Sequence, residues 1–429
     1  MAALPGAFGA GAALDYRRSS ISNGEMMRIL FLHNNFPGQY RRIAGFLKGV
    51  EGVEILAGTL KSNEQDFGVK RVSYAPHRDV TEKIHPTLVS TERAVLTAQA
   101  AFQALYGLRE KGWSPDLVCS HSGWGPSLLI KELWPKTRLL SLFEWYYRAR
   151  GSDADFLEPM THDSAARAHF KNLPILADIA DMDWGTSPTR WQWSQFPAHL
   201  RTNISVLHEG VDCEFFSPGE ASVEANGRTF TADDEVITYV ARGMEPYRGF
   251  PQFMEAVAKL QQRRPNLHVL IAGNDRTAYG KRRSDGKTYR EHALATLDLD
   301  ESRVHFLGLV PLTTLRSMFR ITRAHVYLTV PFVLSWSMLE AMASGALVLG
   351  SDTPPVRELI GHDVNGLLTD FFDADRIADD LETILRGDVD AARLKAAARE
   401  TVVSDYALDS ILPRQWALMR AVARDGRPG

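Results

Sequence analysis

The chain has 429 residues, more than one hydrophobic core of ordinary size accommodates, so two domains are expected. Its composition is globular, 45% apolar and 24% charged, and a net charge of −3 with no long Lys/Arg block argues against nucleic acid as a partner. No apolar run reaches the ~20 residues that span a bilayer. The two cysteines, Cys119 and Cys213, lack metal-ligand spacing and fit a reducing, cytoplasmic compartment better than a disulfide framework.

Residues 1–24 are rich in small side chains and lack the ordered charge, apolar stretch and cleavage site of a secretory signal, so they read as a disordered lead. The first predicted element is a strand, Met27–Leu32, followed by the polar run His33-Asn34-Asn35, a turn containing Gly38 and Gln39, and a helix over 40–48. Strands follow at 53–57, 116–120 and 138–143, with a long helix over 86–111. A second series of strands, at 236–240, 268–272, 304–307, 325–328 and 347–349, alternates with helices at 251–263, 312–321, 338–344 and 375–386. Gly210, Pro218 and Gly219 interrupt the pattern between the two series, and a last helix over 408–422 is expected to pack back on the first. The predicted division is therefore 1–24, 25–203, 204–405 and 406–429, with an α/β parallel sheet in each of the two large parts.

In such sheets ligands bind at the carboxyl ends of strands, so the loops after strands carry the candidates. Arg242 and Arg248, each followed by a glycine (Gly243, Gly249), come after the strand at 236–240. Arginine keeps its charge and presents a fork of donors suited to phosphate oxygens, and two surface arginines remain the plain alternative. After the strand at 325–328, Ser335, Trp336 and Ser337 open a helix whose N-terminus offers amides to an anion, with Glu340 one turn in, where a carboxylate can take ribose hydroxyls. An ordinary capped helix explains that pattern equally well. His121 follows the strand at 116–120, and Glu144-Trp145-Tyr146-Tyr147-Arg148 follows the next. Aromatic faces stack on sugars or fill cores, and both readings stand for Tyr146 and Tyr147.

From about Met27 to Ala407 the chain resembles the family 4 glycosyltransferases. Residues 339–345, Leu-Glu-Ala-Met-Ala-Ser-Gly, resemble the family's Leu-Glu-Ala-Met-Ala-x-Gly helix, and residues 242–249 resemble its Gly-Arg…Lys-Gly loop. Gly210-Val211-Asp212 with Phe215 and Pro218 resembles its junction segment, and residues 365–368 its Asn-Gly-Leu-Leu turn. The resemblance implies a GT-B fold, two facing Rossmann-like parallel-sheet domains with a cleft between them. It implies retaining transfer of a sugar from a nucleotide diphosphate to an acceptor hydroxyl, in polysaccharide or glycoconjugate synthesis. Arg242 and Arg248 would then hold the diphosphate, aided by the Ser335 and Trp336 amides and the Gly38 loop, Glu340 the ribose, and His121 the sugar. The donor side would include Gly243, Gly273, Gly308, Val310 and Ser337, and the acceptor side Glu144, Tyr146, Tyr147 and Arg148.

No resident cofactor or metal is expected, because the nucleotide sugar is a co-substrate and two cations already neutralise the diphosphate. The Asp-x-Asp triplets at 153–155 and 181–183 carry little weight in a chain of this size. The expected partners are the donor and a sugar, lipid-linked or other hydroxyl acceptor, and peripheral membrane contact is compatible with the composition. One departure stands out: Phe332 lies eight residues before Glu340, where the family commonly has a sugar-binding Glu. It motivates the alternatives of a non-catalytic nucleotide-sugar binder, or of a phosphorylase or epimerase acting on nucleotide sugars.

Overall fold

The computed structural model describes residues 26–428, so the predicted lead at 1–24 lies outside the described residues. The chain divides into two compact units, one taking residues up to Ala149, Thr161–Gly210 and the chain from Leu408, the other taking Arg150–Met160 and Val211–Ala407.

The first unit is built on seven parallel strands: β1 (Met27–Leu32), β2 (Val53–Leu60), β3 (Lys70–Tyr74), β4 (Leu117–His121), β5 (Arg138–Leu142), β6 (Trp184–Ser187) and β7 (Ile204–Val206). Their order across the sheet is β3-β2-β1-β4-β5-β6-β7. A small hairpin, β8 (Val223–Ala225) and β9 (Arg228–Phe230), precedes the second sheet. That sheet is formed by β10 (Val236–Gly243), β11 (His268–Asn274), β12 (Val304–Gly308), β13 (Ala324–Tyr327), β14 (Val348–Ser351) and β15 (Leu367–Thr369), in the order β12-β11-β10-β13-β14-β15. Both are doubly wound sheets, the GT-B architecture expected from the sequence.

Helices cover both faces of each sheet, so the central strands are apolar throughout rather than alternating. Ile29, Leu30, Phe31 and Leu32 are all fully buried. The helix Phe250–Arg263 buries Phe250, Phe253, Met254, Val257 and Leu260, the three- and four-residue spacing of one helical face. The terminal helix Leu408–Asp425 places Ile411, Trp416, Met419 and Val422 in the first unit's core beside Ile29, Phe31 and Leu47. Among the described residues no helix is long and apolar enough to cross a membrane.

The units are cut differently from the predicted boundaries. β7 pairs with β6, so the first sheet continues past residue 203. Residues 150–160 belong to the second unit because Asp153 accepts a bond from the Tyr247 hydroxyl (3.0 Å), Phe156 stacks on Phe372 (4.9 Å), and Glu158 pairs with Lys281. The chain leaves and re-enters that unit side by side, with Val211 N–H bonded to the Tyr406 carbonyl at 2.7 Å.

Candidate functional site

In each sheet the strand order reverses once, and the loops flanking that reversal diverge to leave room for a ligand. In the second unit it falls between β10 and β13. The register of β10 against β11 shifts between Val240 and Gly243, an irregularity of the kind that re-aims side chains near active sites. Arg242 sits in it and is exposed. Arg248, at the end of the short helix Pro246–Arg248, is buried. Its guanidinium donates to Thr329 Oγ1 (2.7 Å), to the Val333 carbonyl (3.1 Å) and, more weakly, to the Tyr327 hydroxyl (3.4 Å). The Tyr279 ring lies 5.4 Å from its central carbon. All of these hydrogen bonds go to neutral oxygens. Burial opposes the charge, but the surrounding Tyr327, Tyr279, Tyr239 and Glu245 outweigh it, and the group stays above arginine's ordinary pKa.

Glu245 holds this arrangement from beneath. Its fully buried carboxylate accepts the amides of Ala278 (3.0 Å), Tyr279 (3.0 Å) and Gly280 (2.7 Å). The loop after β11, which carries Tyr279, is thereby tied to the loop after β10, which carries Arg248. Phe332 completes the cluster, packing edge-on against Tyr247 (5.7 Å) and Tyr279 (5.3 Å). Where the family commonly has a carboxylate, this chain has an aromatic contact that braces the arginine's neighbours.

The helix Trp336–Ala343 follows β13, with Ser335 as its N-cap and the Ser335 side chain accepting from Ser337 N–H (3.4 Å). The Ser335 amide, expected to serve an anion, donates to the Tyr327 hydroxyl at 2.7 Å in the ligand-free chain. Ser337 and Glu340 are buried and Trp336 is half-buried. Gly243, Gly273 and Gly308 lie at or next to the carboxyl ends of β10, β11 and β12, and Val310 packs beside the hairpin core.

In the first unit the reversal lies between β1 and β4. His33 follows β1 and His121 ends β4, and their rings stack at 5.1 Å and 12°. The Asn35 amide donates to His33 Nδ1 (3.0 Å), so the proton resides on Nε2 and is donated to Gln39 Oε1 (2.8 Å). Gln39 Nε2 donates in turn to Glu144 Oε1 (2.9 Å), and Glu144 Oε2 lies 3.4 Å from His121 Nε2. Burial and the neighbouring His121 lower the His33 pKa to about 4, so it is neutral near pH 7. Burial pushes the Glu144 carboxyl up, but bonds from His121 and Gln39 prevail and hold it below the usual value. Gly38 has φ +45°, and a Cβ there would lie 2.3 Å from the His33 ring, so the turn needs glycine to admit the imidazole.

The structure thus gathers His121, Glu144 and Gly38 and adds His33 and Gln39 to them. Tyr146 and Tyr147 have other partners: Tyr146 packs on Phe196 (5.1 Å), and Tyr147 exchanges backbone bonds with the Asn172 amide under Lys171. Arg148 is exposed. Of the Asp-x-Asp carboxylates, Asp155 closes a turn on the amides of Gly151 and Ser152, and Asp183 pairs with Lys131 (2.7 Å) and Arg138 (2.8 Å). Glu245, Tyr279, Tyr327 and Thr329 had no sequence signal, because their roles arise from contacts with residues distant in the chain. His33 carried one, its place directly after the first strand.

Fold and site define a protein of two doubly wound units, one with a buried cation at its strand reversal and the other with a histidine–carboxylate cluster. The glycosyl transferase family 4 group matches residues 51–216, and glycosyl transferases group 1 matches residues 224–401. The chain belongs to the family 4 glycosyltransferases. It is 26% identical over 213 residues to the D-inositol 3-phosphate glycosyltransferase of Mycobacterium avium, a match covering 49% of this chain and 48% of that one, so the chain spans about half the length of that relative. It is 31% identical over 219 residues to the phosphatidyl-myo-inositol mannosyltransferase of Mycolicibacterium smegmatis, over 50% of each chain. Its fold matches that of Anabaena HepE, solved in complex with UDP and glucose, with a TM-score of 0.64 at 14% identity, covering 91% of this chain and 98% of that one.

Proposed function

We propose that this chain is a retaining, metal-independent glycosyltransferase of the cytoplasm that moves a sugar from a nucleoside diphosphate to an acceptor hydroxyl in polysaccharide or glycoconjugate synthesis. The observation that carries this reading is Arg248, a buried guanidinium bonded only to neutral oxygens at the strand reversal of the second unit. The nearby Glu245 carboxylate favours the charge, but its oxygens are taken by the amides of residues 278–280, and the hydrogen bonds of the guanidinium among the described residues all go to neutral oxygens. A diphosphate would supply an anion in direct contact.

As the anomeric C–O bond breaks, its electron pair passes to the diphosphate, and a cation fixed beside that group stabilises the transition state more than the ground state. Arg242 adds a second, solvated cation. Glu340 is the group assigned to the ribose, by its match to the family helix. The acceptor hydroxyl oxygen forms the new bond to the anomeric carbon on the face the leaving group departs from, its proton passing to the departing diphosphate oxygen, with His121 positioned by Glu144 in contact with the sugar. The protein partners of Asp155 and Asp183 support a reaction without a metal. The names of the relatives favour sugar transfer here, and the UDP in HepE a nucleotide-linked donor.

The test is a thermal-shift panel of UDP, GDP, ADP and dTDP in excess chelator. One of them at 100 times its Kd contributes about 2.7 kcal/mol, a rise of roughly 5–10 °C. No rise with any of the four refutes the reading. Slow donor hydrolysis without acceptor separates a transferase from a mere binder, the alternative that Phe332 motivates.

A further inference from the structure

The loop after β4, residues 122–127, reads Ser-Gly-Trp-Gly-Pro-Ser. It is held by one buried carboxylate: Asp178 accepts from Ser122 Oγ (2.8 Å), Gly123 N–H (2.8 Å) and Ser127 Oγ (2.7 Å). It also presses against the long helix Val89–Arg109. At Gly125, with φ +102°, a Cβ would lie 2.1 Å from the Ala94 carbonyl oxygen. A loop fixed in this way nevertheless holds a large apolar ring in solvent, since Trp124 is 51% exposed. Its indole lies 6.3 Å from the His121 imidazole at the ligand-binding end of the sheet, and that imidazole lies in turn 3.4 Å from the Glu144 carboxylate.

We propose that Trp124 is an acceptor-binding platform, its indole stacking on the ring of a polyhydroxylated acceptor, a pyranose or cyclitol, while His121 and Glu144 bond the hydroxyls. An indole face takes the C–H face of such a ring, and the imidazole and carboxylate next to it take groups that a purely apolar ligand lacks. The assignment of this ring to the acceptor rests on the glycosyl-transfer reading above. It places the acceptor on the Trp124 loop rather than on Tyr146 and Tyr147, whose rings are packed within the unit.

The experiment uses the full chain and its Trp124→Ala and Trp124→Tyr variants, with melting temperatures confirming that each is folded. Saturation-transfer difference NMR is recorded with methyl α-D-glucopyranoside, methyl α-D-mannopyranoside and myo-inositol. NDP and NDP-sugar affinities are measured in parallel. The expected result is saturable transfer to at least one ring, lost at least tenfold in Trp124→Ala, largely retained in Trp124→Tyr, with both nucleotide affinities unchanged. Absence of binding by all three to the wild type, or binding indifferent to Trp124→Ala, overturns the proposal. Loss of NDP-sugar affinity alone in Trp124→Ala assigns the platform to the donor ring and overturns the acceptor assignment. Failure of every nucleotide to bind the wild type instead refutes the transferase reading, a separate outcome.

Discussion

Arg248→Met separates a binding cation from a structural one. The substitution keeps an unbranched apolar stem of similar length and deletes the charge. In the ligand-free protein two effects oppose each other. Replacing a buried charge with an apolar side chain stabilises by about 1–4 kcal/mol. The Thr329 hydroxyl and the Val333 carbonyl each lose a donor, at a cost of about 1–3 kcal/mol per buried acceptor. The melting temperature should therefore move little, within roughly 2 kcal/mol of wild type or a few degrees. Nucleotide binding should change much more. Hydrogen bonds to charged groups contribute about 1.5–3 kcal/mol each, so losing one or two weakens NDP affinity by roughly 10- to 10,000-fold. Calorimetric melting with and without NDP reads both quantities in one series. A fall of several kcal/mol in the ligand-free protein with the NDP-induced shift intact would refute the reasoning.

Gly38→Ala should drive a methyl into the His33 ring and break the chain from His33 through Gln39 to Glu144. Turnover is expected to fall at least tenfold, measured by donor hydrolysis; full activity would dissociate the cluster from the chemistry. Phe332→Ala removes two aromatic contacts and should cost about 2–4 kcal/mol in urea unfolding, where a neutral result would show that Phe332 does not brace Tyr247 and Tyr279. His33 titrates near 4 in the folded chain and near 6.5 unfolded, so folding favours its neutral form. The associated stability is full above about pH 6.5 and is lost as pH falls toward 4, roughly 3 kcal/mol in total. Urea midpoints should fall over that window, and His33→Gln should flatten the slope; an unchanged slope counts against a buried neutral His33.

The alternation of apolar runs with helical periodicity made both sheets legible, because strands buried on two faces leave long unbroken apolar segments such as residues 29–32. The strands that gave no signal are short or polar. β15 has three residues, β7 three, and β3 is largely exposed. Their partners supply the stabilisation that their own sequences lack. At the site, residues next to one another in the chain were legible, among them Arg248, Glu340 and His121. The groups that position them were not. Glu245 meets residues 278–280 more than thirty positions away, and Arg248 reaches Thr329 across 81. The partner of the Ser335 amide, the Tyr327 hydroxyl on the preceding strand, was equally invisible in the sequence.

The central claim is that the Arg248 guanidinium meets the donor's diphosphate, and a crystal structure with the nucleoside diphosphate selected by thermal shift tests it most directly. Phosphate oxygens should lie within hydrogen-bonding distance, about 2.7–3.0 Å, of the Arg248 guanidinium, with the ribose at Glu340. An ordered diphosphate bound elsewhere, with Arg248 still bonded only to Thr329, Tyr327 and Val333, would contradict the account.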